Sequence, residues 1–142
     1  MADHMCFGCS PHNPIGLKMK FFQHGDIVYT TFKADVEHQG YNGYMHGGLI
    51  STLLDETMAQ WLWIRNIPCM TAEMTVRYSE GVPIGRELRV ESRCVDQRRD
   101  RLFEIEGKII LPGGNVAVRS TAKFLRIDIS EIQKNKKTIG QD

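Results

Sequence analysis

At 142 residues, with 42% hydrophobic and 25% charged side chains, the chain has the composition of a globular protein and the length of one hydrophobic core. That excludes fibrous and disordered classes and argues for a single domain over 1–142. Eighteen Lys and Arg against 17 Asp and Glu leave a formal charge of +1, so no global field draws nucleic acid or an anionic membrane, and any anionic partner must be met locally.

The opening MADHMCFGCSPHNP has no basic segment followed by an apolar run, and no apolar run approaches membrane-spanning length, so a cytoplasmic location without membrane contact is expected. Cys6, Cys9, Cys69 and Cys94 are expected as free thiols in that compartment. Residues 1–16, with Pro11, Pro14, Gly8 and the CxxC, read as a turn-rich surface lead-in. Cys6, Cys9, His12 and His4 would offer zinc four ligands, but no second CxxC completes the usual pattern, and the segment is read here as a surface turn without metal.

LKMKFF alternates apolar with basic residues, and after the turn at Gly25 and Asp26 the run IVYTTFKA is rich in β-branched and aromatic residues, which together predict a hairpin. VEHQGYNGYMHG, residues 36–47, reads as a loop without regular structure. From about Gly48 to Arg65, Leu49, Ile50, Leu53, Leu54, Met58, Trp61, Leu62 and Ile64 predict a helix of roughly 27 Å buried on most sides. Trp61, Trp63 and Met45, Met58, Met70 and Met74 read as core packing. After Pro68 the apolar period becomes two, at Met74, Val76 and Tyr78, at Leu88, Val90, Ser92 and Cys94, and at Phe103, Ile105, Gly107 and Ile109. The turn Pro112–Asn115 then returns the chain into VAVRSTAKFLRI, and 130–142 is polar and reads as a flexible tail. Two strands, one buried helix and four strands give an α+β domain, a curved antiparallel sheet wrapped around one long helix. Its unpaired edges would be satisfied by a second copy, so a homodimer is expected.

The stretch GYMHGGLISTLLDET, residues 43–57, carries the chemistry. A loop delivers Gly47 and Gly48 to a helix start, where amides lack intrahelical acceptors and the helix dipole contributes about half a positive charge, an arrangement suited to an oxyanion. On the helical wheel Asp55 falls at the edge of the apolar arc beside Ser51, Thr52 and Ala59. It either lines a cleft against a partner subunit or joins Glu56 and Gln60 on a solvated arc, and spacing alone favours the second.

HGGLISTLLDET, preceded by Gly43 and followed by TAEMTVRYSEGVPIGRELRV, resembles the hotdog-fold thioesterases, the branch holding phenylacetate-pathway and human thioesterase-superfamily members. The likeness runs from CFGCSPHNPIGLKM to the last strand. It implies a helix wrapped in a sheet, composite active sites at a dimer interface, a dimer of dimers, and hydrolysis of an acyl-coenzyme A thioester. Asp55 is then the general base or nucleophile, Gly47 the N–H donor to the thioester oxygen with Gly48 beside it, His46 an orienting residue, and Thr71 of the partner's strand a water-positioning hydroxyl. Glu73, Tyr78 and Ser79 match positions near substrate.

Several relatives carry an Asn or Gln six residues before the histidine; here Gly40 stands there, with Gln39 one residue earlier as a substitute. DQRRDR, residues 96–101, matches a loop that lies along the nucleotide, so Gln97, Arg98, Arg99 and Arg101 are candidates for the phosphates, against a solvated tip with internal Asp–Arg pairing. No cofactor or metal is implied beyond coenzyme A as part of the substrate. Two rival readings stand beside the thioesterase. A hotdog hydratase would place an Asp and a His a few residues apart on the loop and helix start. A non-catalytic acyl-thioester binding module would account for the absence of an Asn at position 40.

Overall fold

A computed structural model of the chain describes residues 4–128 and Ser130; the rest of the polar tail expected over 130–142 lies outside the described residues. In chain order the elements are β1 (Phe22–His24), β2 (Ile27–Lys33), a 3₁₀ turn (Val36–His38), α1 (Gly47–Trp63), β3 (Cys69–Tyr78), β4 (Glu87–Arg98), β5 (Leu102–Ile110) and β6 (Val116–Arg126). The six strands form one antiparallel sheet in the order β1-β2-β4-β5-β6-β3, and α1 packs on strands β2 to β6. This is the hotdog arrangement, one long helix held by one curved sheet.

The helix buries Ile50, Leu53, Leu54, Thr57, Met58, Trp61 and Leu62, a three- and four-residue spacing that keeps one broad face on the sheet. It ends two residues before the expected Arg65. Asn66 takes a left-handed φ of 61°, its N–H reaching Trp63 O and the Ile67 N–H reaching Leu62 O, both at 3.0 Å, which satisfies the last carbonyls before Pro68. Trp61 ties the far end to the β1–β2 turn through Nε1–H to Asp26 O at 2.9 Å.

The helix can lie this close because the sheet beneath it is floored with small residues. Ser92 of β4 pairs with Gly107 of β5, and Gly107 pairs with Ser120 of β6. Ser92 Oγ donates to Thr57 O at 2.7 Å, and a methyl on Gly107 would stand 3.1 Å from Met58 Cγ and 3.3 Å from Leu54 Cδ2. A side chain at this position would lift the helix off the strands.

Several expectations change. The first hairpin arm is short, because Lys18 adopts a left-handed φ of 53° and interrupts the extended run, leaving only Phe22–His24 as strand. Leu17 and Met19 are still buried: their N–H groups donate to Phe7 O at 2.8 Å and Gly8 O at 2.9 Å. The segment before residue 17 is therefore stitched to the domain through these two hydrogen bonds. The 36–47 stretch contains the 3₁₀ turn. Trp63 and Met70, read as core, are 36% and 54% exposed. Among the described residues no helix is long and apolar enough to cross a membrane.

We expect Gly107→Val to destabilise the protein by about 1–3 kcal/mol through overpacking against Met58 and Leu54. Denaturant unfolding would read this as a lower midpoint at unchanged slope. An unchanged midpoint would show that the floor is not tight.

Candidate active site

The helix start is organised by His46. Its Nδ1 accepts the Gly48 N–H at 2.9 Å, and its carbonyl accepts both the Leu49 and Ile50 N–H groups at 3.0 Å. Of the four amides that open α1, Gly47 N–H alone has no acceptor among the described residues. Gly48, an expected second donor, is committed to the imidazole. A glycine precursor loop positions the cap: Gly40 N–H donates to Tyr44 O at 2.9 Å, Gly43 N–H to Gln39 Oε1 at 3.0 Å, and His46 N–H to His38 O at 2.8 Å. Gln39 therefore braces this loop with its side-chain oxygen. Gly40 lies so close to His46 that a methyl there would stand 3.3 Å from its Cα. Tyr78, at the end of β3, closes the first turn, with its hydroxyl 3.0 Å from Gly47 O and 2.5 Å from Ser51 Oγ.

Two turns further along the helix, half-buried Asp55 accepts a hydrogen bond on Oδ1 from Thr71 Oγ1 at 2.7 Å. Donor and acceptor belong to the same chain, whereas the resemblance implies a hydroxyl from the partner's strand. A β-bulge between Thr71 and Glu73 explains the geometry. In an unbroken strand Thr71 would share the face of Glu73 and Thr75, which look away from the helix beside Glu104 and Lys123. The extra residue reverses the phase, so Thr71 faces the helix together with Met74, Val76 and Tyr78. Glu73, expected near substrate, is thereby turned away from Asp55. Ser79 lies beyond the strand end, its N–H on Ala117 O. Burial, and after it the charge of Asp55, push the neighbouring Cys69 thiol up to about 12.

The polar arc expected beside Asp55 is not all solvated. Burial raises the Glu56 carboxyl above its ordinary range, against the Cys6 hydrogen bond that acts to lower it, because the N-terminal segment covers this side of the helix.

The basic stretch is divided. Asp96, Gln97 and Arg98 belong to β4, and Arg99, Asp100 and Arg101 form the turn between Arg98 and its partner Leu102, the first two at left-handed φ of 53° and 55°. Arg98 pairs with Asp96 at 3.1 Å and Asp100 pairs with Arg126. Arg99 and Arg101 make no ion pair among the described residues. The register sets Leu102 opposite Leu125 and Leu125 opposite Met70, so this turn lies about 10 Å across the sheet from the strand end that carries Thr71.

Gly47 and Asp55 are eight residues apart on one helix, a rise of about 12 Å. One chain thus holds a carboxylate–hydroxyl pair at one position and a free amide at another, too far apart for one carbonyl. A concavity of about 610 Å³ lies on the outer face of the sheet among Thr75, Arg77, Glu91, Arg93, Lys108 and Arg119, and includes none of Asp55, Thr71 and Gly47.

The family model described as the thioesterase superfamily matches residues 42–118, which contain the helix, its cap, the bulged strand and most of the sheet. This chain belongs to the thioesterase superfamily. Among superfamily proteins it is 29% identical over 90 residues to acyl-coenzyme A thioesterase 13 of Mus musculus, covering 57% of this chain and 64% of that protein. A crystal structure of a thioesterase-superfamily protein superposes with a TM-score of 0.78 at 24% identity, covering 83% of this chain and 61% of that one. The chain thus spans just under two thirds of each of these two relatives. A hypothetical thioesterase from Streptococcus pneumoniae, crystallised with coenzyme A, superposes with a TM-score of 0.71 at 20% identity, covering 77% of this chain and 85% of that one. That streptococcal protein has also been crystallised with an aspartate replaced by alanine, and separately with a threonine sixteen residues further along replaced by alanine.

Proposed function

We propose that this chain is an acyl-coenzyme A thioesterase that works as a cytoplasmic homodimer, itself paired into a dimer of dimers, with each active site built from two chains. The observation that carries the reading is the Thr71–Asp55 hydrogen bond set two helical turns from the free Gly47 amide. β3 is a ten-residue edge strand with an exposed, partly apolar flank that includes Met70 and Tyr78, the kind of edge that invites a second copy. Antiparallel pairing of two β3 edges about a two-fold axis sets the Thr71–Asp55 end of one chain beside the Tyr78–Gly47 end of the other. The carboxylate and the amide then face each other across the interface, which one chain cannot achieve.

In this site Asp55 takes a proton from water. Thr71 holds one carboxylate oxygen and leaves the other free to act. The water oxygen adds to the thioester carbonyl, and the oxyanion is met by Gly47 N–H of the partner chain at the positive end of α1, an interaction worth about 3–4 kcal/mol in comparable acyl transfers. His46 maintains that amide by occupying Gly48. The carbon–sulfur bond then breaks, coenzyme A leaves as a thiolate that takes up a proton, and the free acid departs. The separation of sixteen residues between Asp55 and Thr71 equals that between the aspartate and threonine replaced in the streptococcal relative, which supports pairing these two side chains in function. With Gly40 carrying no side chain and Gln39 bracing the loop, the oxyanion rests on the backbone donor. Arg99 and Arg101 are the cations left to meet the phosphates of coenzyme A; Arg98 is held by Asp96.

We expect Asp55→Asn to fold and dimerise like the parent while kcat for thiol release falls about 10²–10⁴-fold. Undiminished thiol release would end the thioesterase assignment of Asp55. Arg99→Ala with Arg101→Ala should raise KM for an acyl-coenzyme A and leave kcat/KM for the matching acyl-pantetheine, which lacks the nucleotide, unchanged. Equal effects on both substrates would remove these arginines from the phosphate site.

A further inference from the structure

We infer that the N-terminal segment and the middle of α1 together form a closed tetrahedral zinc site with Cys6, Cys9, His4 and Glu56 as ligands. The inference is independent of the catalytic reading. Ligand atoms of His4, Cys6 and Cys9 all lie within 4.8 Å of one another, and Cys6 Sγ lies 3.3 Å from Glu56 Oε1. Zinc–sulfur bonds of about 2.3 Å and zinc–nitrogen or –oxygen bonds of about 2.0 Å require ligand atoms roughly 3.3–3.8 Å apart in a tetrahedron, so the His4, Cys6 and Cys9 atoms need to close by at most about 1.5 Å, and the Cys6–Glu56 separation is already in range.

The protein chain around the cluster is shaped to hold it. Cys6-Phe7-Gly8-Cys9 is a tight turn fastened from beneath by the Leu17 and Met19 N–H groups on Phe7 O and Gly8 O, two residues whose side chains are in the core. Ser10, fully buried, locks the loop from within: its N–H reaches Cys6 O at 3.0 Å, its hydroxyl donates to His4 O at 2.6 Å, and it accepts the His12 N–H at 3.1 Å. Gly8 is buried directly over the helix, where a methyl would fall 2.2 Å from Glu56 Cγ. Only glycine lets the turn descend far enough to set both thiols beside the Glu56 carboxylate.

The donor set selects the ion. Two thiols and an imidazole favour zinc or a similar borderline-soft divalent ion and exclude calcium and magnesium, which take oxygen ligands. A Cys6–Cys9 disulfide would use only two of the four groups and would leave the half-buried carboxylate beside sulfur with no cation to compensate it. Four protein ligands leave no open position, so the ion would be structural, clamping residues 4–9 onto the helix one residue from Asp55. His12, a candidate ligand on spacing alone, is not in the cluster.

The test uses the full chain purified without chelator, with metal content read by mass spectrometry. We expect about one zinc per chain, a loss of about tenfold or more in content for Cys6→Ser and for Cys9→Ser, and wild-type content in His12→Ala. Glu56→Gln should weaken zinc binding about tenfold or more in competition with a chromophoric chelator. Should the cysteine variants fail to fold, reduced apo wild type titrated with cobalt(II) chloride is the deciding sample, since two thiolates in a tetrahedral site give intense sulfur-to-cobalt charge-transfer bands. No cobalt or zinc uptake by that sample would overturn the inference. So would uptake undiminished by Cys6→Ser and Glu56→Gln, or a Cys6–Cys9 disulfide that, once reduced, takes up no metal.

Discussion

An α-helix rises a fixed 1.5 Å per residue, and the rest of the site follows from that number. Its one free opening amide is on Gly47, its carboxylate on Asp55, and no side-chain rotation brings them onto one carbonyl. The helix is also not free to bend toward a solution. Its lower face is pressed onto the Ser92–Gly107–Ser120 floor and its far end is fastened through Trp61, so its two functional points are held apart as rigidly as the core is packed. In the proposed dimer a second helix running the other way supplies what the first lacks. This makes the exposed β3 edge part of the proposed chemistry.

Strand β3 serves both ends of that arrangement. Tyr78 at one end holds the first turn of α1 through Gly47 O and Ser51, and Thr71 at the other end holds Asp55. Both can face the helix only because the bulge shifts the pleat by one residue between them. The bulge thus sets the orientation of the hydroxyl that steadies the carboxylate. It also turns Glu73 outward, beside Glu104 and Lys123 and away from the proposed site, where a second negative charge would oppose an oxyanion.

The helix and the four long strands were legible in the sequence because each has one buried face, and a buried face imposes its period on the residues. Asp55 at the edge of the apolar arc and the glycines at the helix start were legible for the same reason. The bulge was not: strict alternation groups Thr71 with Glu73, and an extra residue leaves no mark in composition. The capture of Gly48 by His46 depends on the side-chain cap, which the HGG spacing does not reveal. The contacts of the N-terminal segment were not legible for a different reason. Its proline and glycine content describes a turn-rich stretch correctly, but what the turn rests on is Glu56, on a helix far along the chain, and spacing within CFGCSPH points to His12 in its place. Local sequence reports the conformation of such a segment and not its partner.

The central claim is that each site takes its base from one chain and its oxyanion donor from the other, and exchange between two inactive variants tests it most directly. Asp55→Asn removes the base. Gly47→Pro removes the free amide at a first helical position where proline is well accommodated, and His46 before it is already extended at φ −61° and ψ 134°. Each variant alone should be inactive. When the two are mixed under conditions of subunit exchange, half of the dimers become mixed and each mixed dimer regains one intact site, so thiol release should recover to roughly a quarter of the wild-type rate. If dimers demonstrably exchange and activity stays at the level of the separate variants, the two-chain site is contradicted.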